Sequence, residues 1–282
     1  MITANLKNWL SDCTRFCRQL AIPLIFLAAV GSPSLSRAES VDSELLLLVD
    51  VSKSGMKNGD FDSLMSGYAE AFTNSAVIDS IASGQRGKIA VSLMFFGVDA
   101  GASVGIPWMS IGSLSEAQAF AGQLTSLARP SSGNFEYADA IAAGVASMGP
   151  ETGGSVGNGY ESLYQTVEVF GMDTPGGSTA DNQAASEAAL AAGVDSIGAI
   201  VSGKKAAKAE SYYASTIVGG AIDGVPTGVV NAGSGLALPQ ALSSQLAANV
   251  SGAATVPEPS SALMLVSSMG ALLLVRRRQS TR

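Results

Sequence analysis

The chain alternates short, uniformly apolar runs with longer stretches in which apolar residues recur every three or four positions. Leu45-Leu46-Leu47-Leu48-Val49, ending at Asp50, is strand-length and apolar on both faces, as a buried parallel strand would be. After a loop, Phe61, Leu64, Met65, Tyr68, Phe72 and Ala76 line one helical stripe that ends near Ser83-Gly84. Lys88 to Val98 predicts a second strand. Ser103 to Ile111 predicts a shorter third, which Pro107 assigns to a sheet edge and which pairs with the second as a hairpin. Ser115 and Gln118 form the expected capping box of a helix carrying Ala117, Phe120, Ala121, Leu124 and Ala128, stopped by Arg129-Pro130. The pattern then predicts a helix over Tyr137 to Met148, a strand over Gln165 to Gly171, a helix over Asp181 to Ala192, a strand over Asp195 to Val201 and a helix over Lys204 to Ser215. The Gly-rich stretch Gly149 to Gly159 reads as a long surface connection. Such alternation predicts an α/β fold, a doubly wound and mostly parallel central sheet flanked by helices, with any site in the loops at the strand C-termini.

The two ends follow a different pattern. Lys7, Arg15 and Arg18 precede an apolar run from Leu20 to Val30, and Ser36-Arg37-Ala38 follows as a small-x-small cleavage signal. This predicts a secretory signal peptide over residues 1–38, cut after Ala38. The alternative, an N-terminal membrane anchor, has only a short apolar run interrupted by Pro23 where a span needs roughly 20 residues. At the other end, Pro257-Glu258-Pro259 precedes a mostly apolar stretch from Ala262 to Val275 and then Arg276-Arg277-Arg278. This order of motif, apolar helix and basic cluster over residues 253–282 resembles the PEP-CTERM sorting signal of Gram-negative bacteria. The resemblance implies an exosortase-type processing peptidase as a partner, transient membrane contact through the tail, and release to the cell surface or extracellular matrix. A plain tail anchor is the alternative. Between the ends, residues 39–252 are expected to form one domain.

Composition narrows the chemistry. The chain has no histidine, which removes the commonest general base, the usual zinc ligand and the middle member of a Ser-His-Asp triad. Both cysteines, Cys13 and Cys17, lie in the leader, so the body is expected to fold without disulfides. Half of the 16 basic residues lie in the two end segments, leaving a strongly acidic body. That balance excludes nucleic acid as the expected partner and turns attention to cations. Gly101-Ala102-Ser103-Val104-Gly105 and Gly153-Gly154-Ser155-Val156-Gly157 each match the Gly-x-Ser-x-Gly nucleophile elbow, but no histidine exists to act as base.

The strongest constellation is Asp50-Val51-Ser52-Lys53-Ser54, directly after the first strand. Alternate residues of an extended segment point the same way, so Asp50, Ser52 and Ser54 can converge on one cation at the sheet rim. Carboxylate and hydroxyl oxygens suit hard Mg²⁺, or Mn²⁺. The alternative is that Asp50 and Ser52 cap the following turn through local hydrogen bonds. The Asp-x-Ser-x-Ser pattern in this context resembles the metal-ion-dependent adhesion site of von Willebrand factor A domains. Residues 41 to about 250 resemble a bacterial family of secreted A-like domains of unassigned function. The landmarks are the Asp50 motif, Gly67-Tyr68-Ala69, Gly87-Lys88-Ile89-Ala90-Val91, Pro107-Trp108, Ala188 to Gly193, and Tyr212-Tyr213 followed by Val218-Gly219-Gly220. The resemblance also implies a threonine ligand after Gly133, where Phe135 stands instead, and a Ser-Gly-Asp after Val169, where the chain reads Phe170-Gly171-Met172-Asp173. Asp173 is then the candidate substitute ligand.

These features predict a non-enzymatic, exported binding or adhesion module that holds Mg²⁺ or Mn²⁺ at a degenerate site. Its partner would be a surface protein or matrix ligand that completes the coordination. The alternatives are a metal-independent structural surface protein, or an extracellular hydrolase using Asp50, Asp139 and Asp173 with a metal-activated water.

Overall fold

The computed structural model describes residues 38–53, 56–149, 157–222, 225–233 and 238–251. The expected signal peptide, the sorting residues Pro257, Glu258, Pro259, Arg276, Arg277 and Arg278, and the candidate ligand Ser54 lie outside the described residues.

In chain order the elements are β1 (Glu39–Ser40), β2 (Ser43–Asp50), α1 (Asn58–Phe72), α2 (Ser75–Ala82), β3 (Ile89–Phe96), β4 (Val104–Ile111), α3 (Leu114–Ser126), α4 (Tyr137–Met148), β5 (Tyr160–Glu161), β6 (Tyr164–Gly171), α5 (Thr179–Ala191), β7 (Ser196–Val201), α6 (Ala206–Thr216), β8 (Gly219–Ile222), β9 (Val225–Pro226), β10 (Val229–Asn231) and α7 (Leu238–Ser251). Among the described residues, eight strands form the central sheet in the order β4-β3-β2-β6-β7-β8-β9, with β10 also pairing to β7. Pairings β2 with β3, β2 with β6, β6 with β7 and β7 with β10 are parallel, and β3 with β4 is the antiparallel edge hairpin. The doubly wound, mostly parallel sheet predicted from the apolar runs is therefore present.

All eight residues of β2 are buried, as its unbroken leucine run requires of a central strand covered on both faces. Leu45, Leu47 and Val49 join one core with α1, α2, α3 and α7. Leu46 and Leu48 join the other with α4, α5 and α6. T-shaped aromatic contacts fix helices in each layer, Phe72 on Phe120 at 4.8 Å in the first and Phe96 on Tyr137 at 5.8 Å in the second.

Several elements differ from the sequence reading, the two-residue strands β1 and β5 among them. The stripe from Phe61 to Ala76 is two helices, because Asn74 leaves α1 and caps α2 by accepting the Ala76 N–H. The N-cap of α3 is Ser113, two residues earlier than the expected Ser115: its hydroxyl accepts the Glu116 N–H, and Glu116 Oε2 accepts the Gly112 N–H. Beyond residue 217, the short strands β8 to β10 and the helix α7 had no counterpart in the predicted elements.

Several polar side chains are buried in the sheet, Glu44 and Glu168 among them. Glu168, in the middle of β6, is fully buried and faces α7, from which Gln245 Nε2 and Asn249 Nδ2 donate to its Oε2 at 3.2 and 2.9 Å. Gly198, its register partner on β7, leaves the room it occupies: a Cβ there would stand 2.9 Å from Oε2. Its other oxygen has no hydrogen-bond partner. Burial raises its pKa from 4.5 to about 7, against the opposing Asn249 and Gln245 hydrogen bonds.

Candidate functional site

Asp50 ends β2 where the chain connections diverge. The segment after β2 leads to α1 on one face, and that after the neighbouring β6 leads to α5 on the other. Open α/β sheets bind ligands in the crevice at such a switch point. Asp50 is only 2% exposed. Its Oδ1 accepts the Ser52 backbone N–H at 2.8 Å, and the Ser52 hydroxyl also bonds the carboxylate. This is the local hydrogen bonding weighed as an alternative to a metal site, yet it serves only part of the carboxylate. Oδ2 is buried without a hydrogen-bond partner. Burial raises the Asp50 pKa from 3.8 to about 6. The Ser52 hydrogen bonds oppose this, the negative charge of Asp173 adds to it, and Arg129 works against it.

Ser52 is fixed by close backbone approach. Gly97, just past β3, has φ 75°, and a Cβ on it would stand 2.8 Å from the Cα, Cβ and N of Ser52. The Gly97 N–H donates to the Phe135 carbonyl at 2.7 Å, and the Phe135 N–H donates to the Val98 carbonyl at 2.8 Å. The loop before α4 is thereby laced to the end of β3. From that loop Arg129 donates through Nη2 to the Val51 carbonyl, beside the turn that follows Asp50. The Phe135 side chain, at the position where the resemblance implied threonine, packs against both hydrophobic cores and offers no oxygen.

Asp173 lies two residues past β6 and is 7% exposed. It is not a free ligand. The Thr174 N–H donates to its Oδ1 at 2.9 Å, Lys205 Nζ pairs with Oδ2, and Lys208 Nζ lies 3.8 Å from Oδ1. Burial pushes its pKa up, but the Lys205 hydrogen bond, the Thr174 amide and the lysine charges outweigh burial and hold it below the usual aspartate value.

Tyr213, on α6, reaches under the same rim. Its hydroxyl is buried without a partner and packs on Gly171, where an added Cβ would stand 2.2 Å away. Burial raises the phenol pKa far above its usual value, with the Asp50 charge the next cause and Asp173 a smaller one. An unsatisfied buried hydroxyl costs stability, so Tyr213→Phe is expected to leave the unfolding free energy unchanged or raise it by up to about 1 kcal/mol. Urea denaturation measures this, and a loss above about 1 kcal/mol would mean that the hydroxyl holds a structural hydrogen bond.

The fold thus brings Asp50, Ser52 and Asp173 to one rim, whereas the strand-end reading grouped Asp50 and Ser52 with Ser54, which lies outside the described residues. Asp139 is exposed on the first turn of α4. Among the described residues no group of three or more His, Cys, Asp or Glu side chains gathers in a metal-holding arrangement. The described nucleophile-elbow match, Gly101 to Gly105, runs from a 3-10 turn of helix into the start of β4, and its Ser103 carbonyl accepts the Phe95 N–H. The sequence reading gives Lys205 and Gly97 no role, Tyr213 only that of a landmark of the resemblance and Arg129 only that of a helix stop. Lys205 is 32 residues from Asp173, and no local motif links such a pair.

The fold is similar to that of the pilus adhesin SpaC from Lactobacillus rhamnosus GG, with a TM-score of 0.51 and 13% identity over 76% of this chain and 31% of that one. Proximal thread matrix protein 1 from the mussel byssus aligns with a TM-score of 0.46 and 15% identity over 77% of this chain and 49% of that one. Its form with a zinc-occupied MIDAS motif gives 0.45 and 15% over the same shares. The chain therefore spans about half the length of the mussel protein and about a third of the adhesin. No curated protein matches the sequence. The architecture is the von Willebrand factor A-like one that the resemblance implied. Residues 40–250 match the family described as "Protein of unknown function (DUF1194)", and the chain belongs to that family.

Proposed function

We propose that this protein is an exported surface or extracellular-matrix binding module whose rim at Asp50 and Ser52 holds a divalent cation, Mg²⁺ or Mn²⁺, completed by a partner's carboxylate. The observation that carries the reading is Asp50 Oδ2, a carboxylate oxygen buried at the switch point without a hydrogen-bond partner. A buried acceptor in that state costs about 1–3 kcal/mol. A cation would supply its partner and draw the carboxyl back to the ionised form.

The donor chemistry fits a hard cation in part. Asp50 and Ser52 offer oxygen, Phe135 offers none, and Asp173 is already paired with Lys205. Few protein ligands mean weak intrinsic affinity and open coordination positions, which is the arrangement a shared-cation contact requires. Export through the signal peptide and processing of the sorting tail by an exosortase-type peptidase would deliver the module to the cell surface. The reading is non-enzymatic, since the chain has no histidine to serve as general base.

A melt of the purified protein in EDTA and then in millimolar Mg²⁺, Mn²⁺ or Ca²⁺ tests the reading, because a ligand that binds only the folded state raises its stability. At ten times Kd the gain is about 1.4 kcal/mol, or roughly 3–5 °C for a chain of this size. The rise is expected with Mg²⁺ or Mn²⁺ and is lost in Ser52→Ala. No shift in either protein removes the cation and favours a second reading, a metal-independent structural surface protein. The observation behind that alternative is the Lys205 ammonium, which already supplies the counter-charge of Asp173.

A further inference from the structure

The Lys205–Asp173 ion pair bears on regulation of this rim, an inference that goes beyond cation binding itself and rests on that reading. We propose that Lys205 is a built-in competitor for the cation: its ammonium occupies Asp173, and a divalent ion gains the Asp173 carboxylate only when Lys205 swings away.

Three observations support the competition. First, Asp50 and Asp173 stand at the ends of adjacent parallel strands, where Val49 pairs with Phe170, and the Asp173 charge is felt at Asp50. Two nearby carboxylates of which one oxygen is unpartnered and another is held by an ammonium form an unevenly neutralised pair. A dication bridging them would neutralise both, but it cannot share Asp173 Oδ2 with an ammonium, because the two positive charges would stand within a few ångströms at the same oxygen.

Second, the segment that carries Lys205 is fastened to the rim. The Ser202 N–H donates to the Gly171 carbonyl at 3.1 Å, the Ser202 hydroxyl donates to the Gly233 carbonyl at 2.8 Å, and the Gly203 N–H donates to the same carbonyl at 2.9 Å. Lys205 is thus presented to Asp173 by a held loop. Third, the Lys205 side chain is 53% exposed while that of Asp173 is 10% exposed. The ammonium can leave for water by rotation of its own side chain with no unfolding, whereas the carboxylate stays at the rim. Lys208, 70% exposed and 3.8 Å from Oδ1, is a weaker second cation at the same group.

Titration of Mn²⁺ into the wild type, Lys205→Met and Lys205→Arg by calorimetry tests the proposal. Lys205→Met removes the charge and keeps the apolar stem. It is expected to bind Mn²⁺ at least about tenfold more tightly than the wild type, while Lys205→Arg stays within about twofold. Adding Asp173→Asn to Lys205→Met is expected to erase the gain. Melting midpoints in EDTA, unchanged within about 2 °C, confirm that the variants are folded. Equal affinity in the wild type and Lys205→Met overturns the competition while leaving the cation site standing. Binding in neither overturns both, because freeing Asp173 would then create no site. Binding only in Lys205→Met supports the competition but removes the cation from the wild-type rim.

Discussion

Gly97→Ala is expected to lower the unfolding free energy by about 2–5 kcal/mol, the sum of a left-handed backbone penalty near 1–2 kcal/mol and an overpacking cost of 1–3 kcal/mol. Gly97 has φ 75°, and its missing Cβ is the space in which the backbone of Ser52 sits, 2.8 Å from where that carbon would be. The neighbour is main chain, so no flexible side chain can move aside. Relief must come from displacing Ser52, which also withdraws the N–H that holds Asp50 Oδ1. The same substitution should therefore weaken any cation binding at the rim. Urea unfolding is the measurement, read as a lower midpoint with an unchanged slope. A loss under about 1 kcal/mol would show that the turn after β2 is looser than its contacts imply.

The second large effect is a dependence of stability on pH. Glu168 has a pKa of about 7 in the folded protein against 4.5 for an ordinary glutamate, since burial under α7 favours the neutral acid. The folded state therefore holds a proton that the unfolded chain has released between those values. Its stabilising contribution is complete below pH 4.5 and is lost as pH rises through 7, by about 3 kcal/mol at 1.36 kcal/mol per pKa unit. Asp50, raised to about 6, acts in the same direction between pH 3.8 and 6. Asp173, with a lowered pKa, contributes stability above the ordinary aspartate value and loses it as pH falls below that range. The wild type is thus expected to unfold in less urea at pH 8 than at pH 5. Glu168→Gln keeps the shape of the neutral acid and should flatten the fall by about 3 kcal/mol. Parallel curves for the two proteins would assign the pH dependence to other groups.

Much of this architecture can be read from residue order. An unbroken leucine run admits only a strand covered on both faces, and Asp50 directly after it can only stand at the rim. Pro107 marks the antiparallel edge for the same kind of reason, because a residue without an N–H cannot serve a central ladder. The details that escape such reading are set by competition between near-equivalent local signals. Asn74 and Ser113 are good caps, but Ala76 and Ser115 continue the same periodicities, and tertiary packing chooses between them. Leu238, Leu242 and Leu246 form a stripe at four-residue spacing that announces α7 and could have been recognised. β8 and β10 are short and partly exposed, so they carry little periodic signal.

The site divides in the same way. Asp50 and Ser52 are readable because their spacing is local and follows a strand. Lys205 on Asp173, Arg129 on Val51 and Tyr213 under Gly171 are long-range meetings created by the strand order 4-3-2-6-7, and no short motif encodes them. The consequence is chemical: the sequence alone presents Asp173 as an available ligand, whereas the fold presents it already bound to an ammonium.

The most direct test of a cation at Asp50 is anomalous diffraction from crystals of the protein grown with millimolar Mn²⁺. The account predicts a peak at a coordination distance of about 2 Å from Asp50 Oδ2 and from the Ser52 hydroxyl. A rim without a peak, in which Asp50 Oδ2 is instead satisfied by an ordered water or a protein donor, would contradict it.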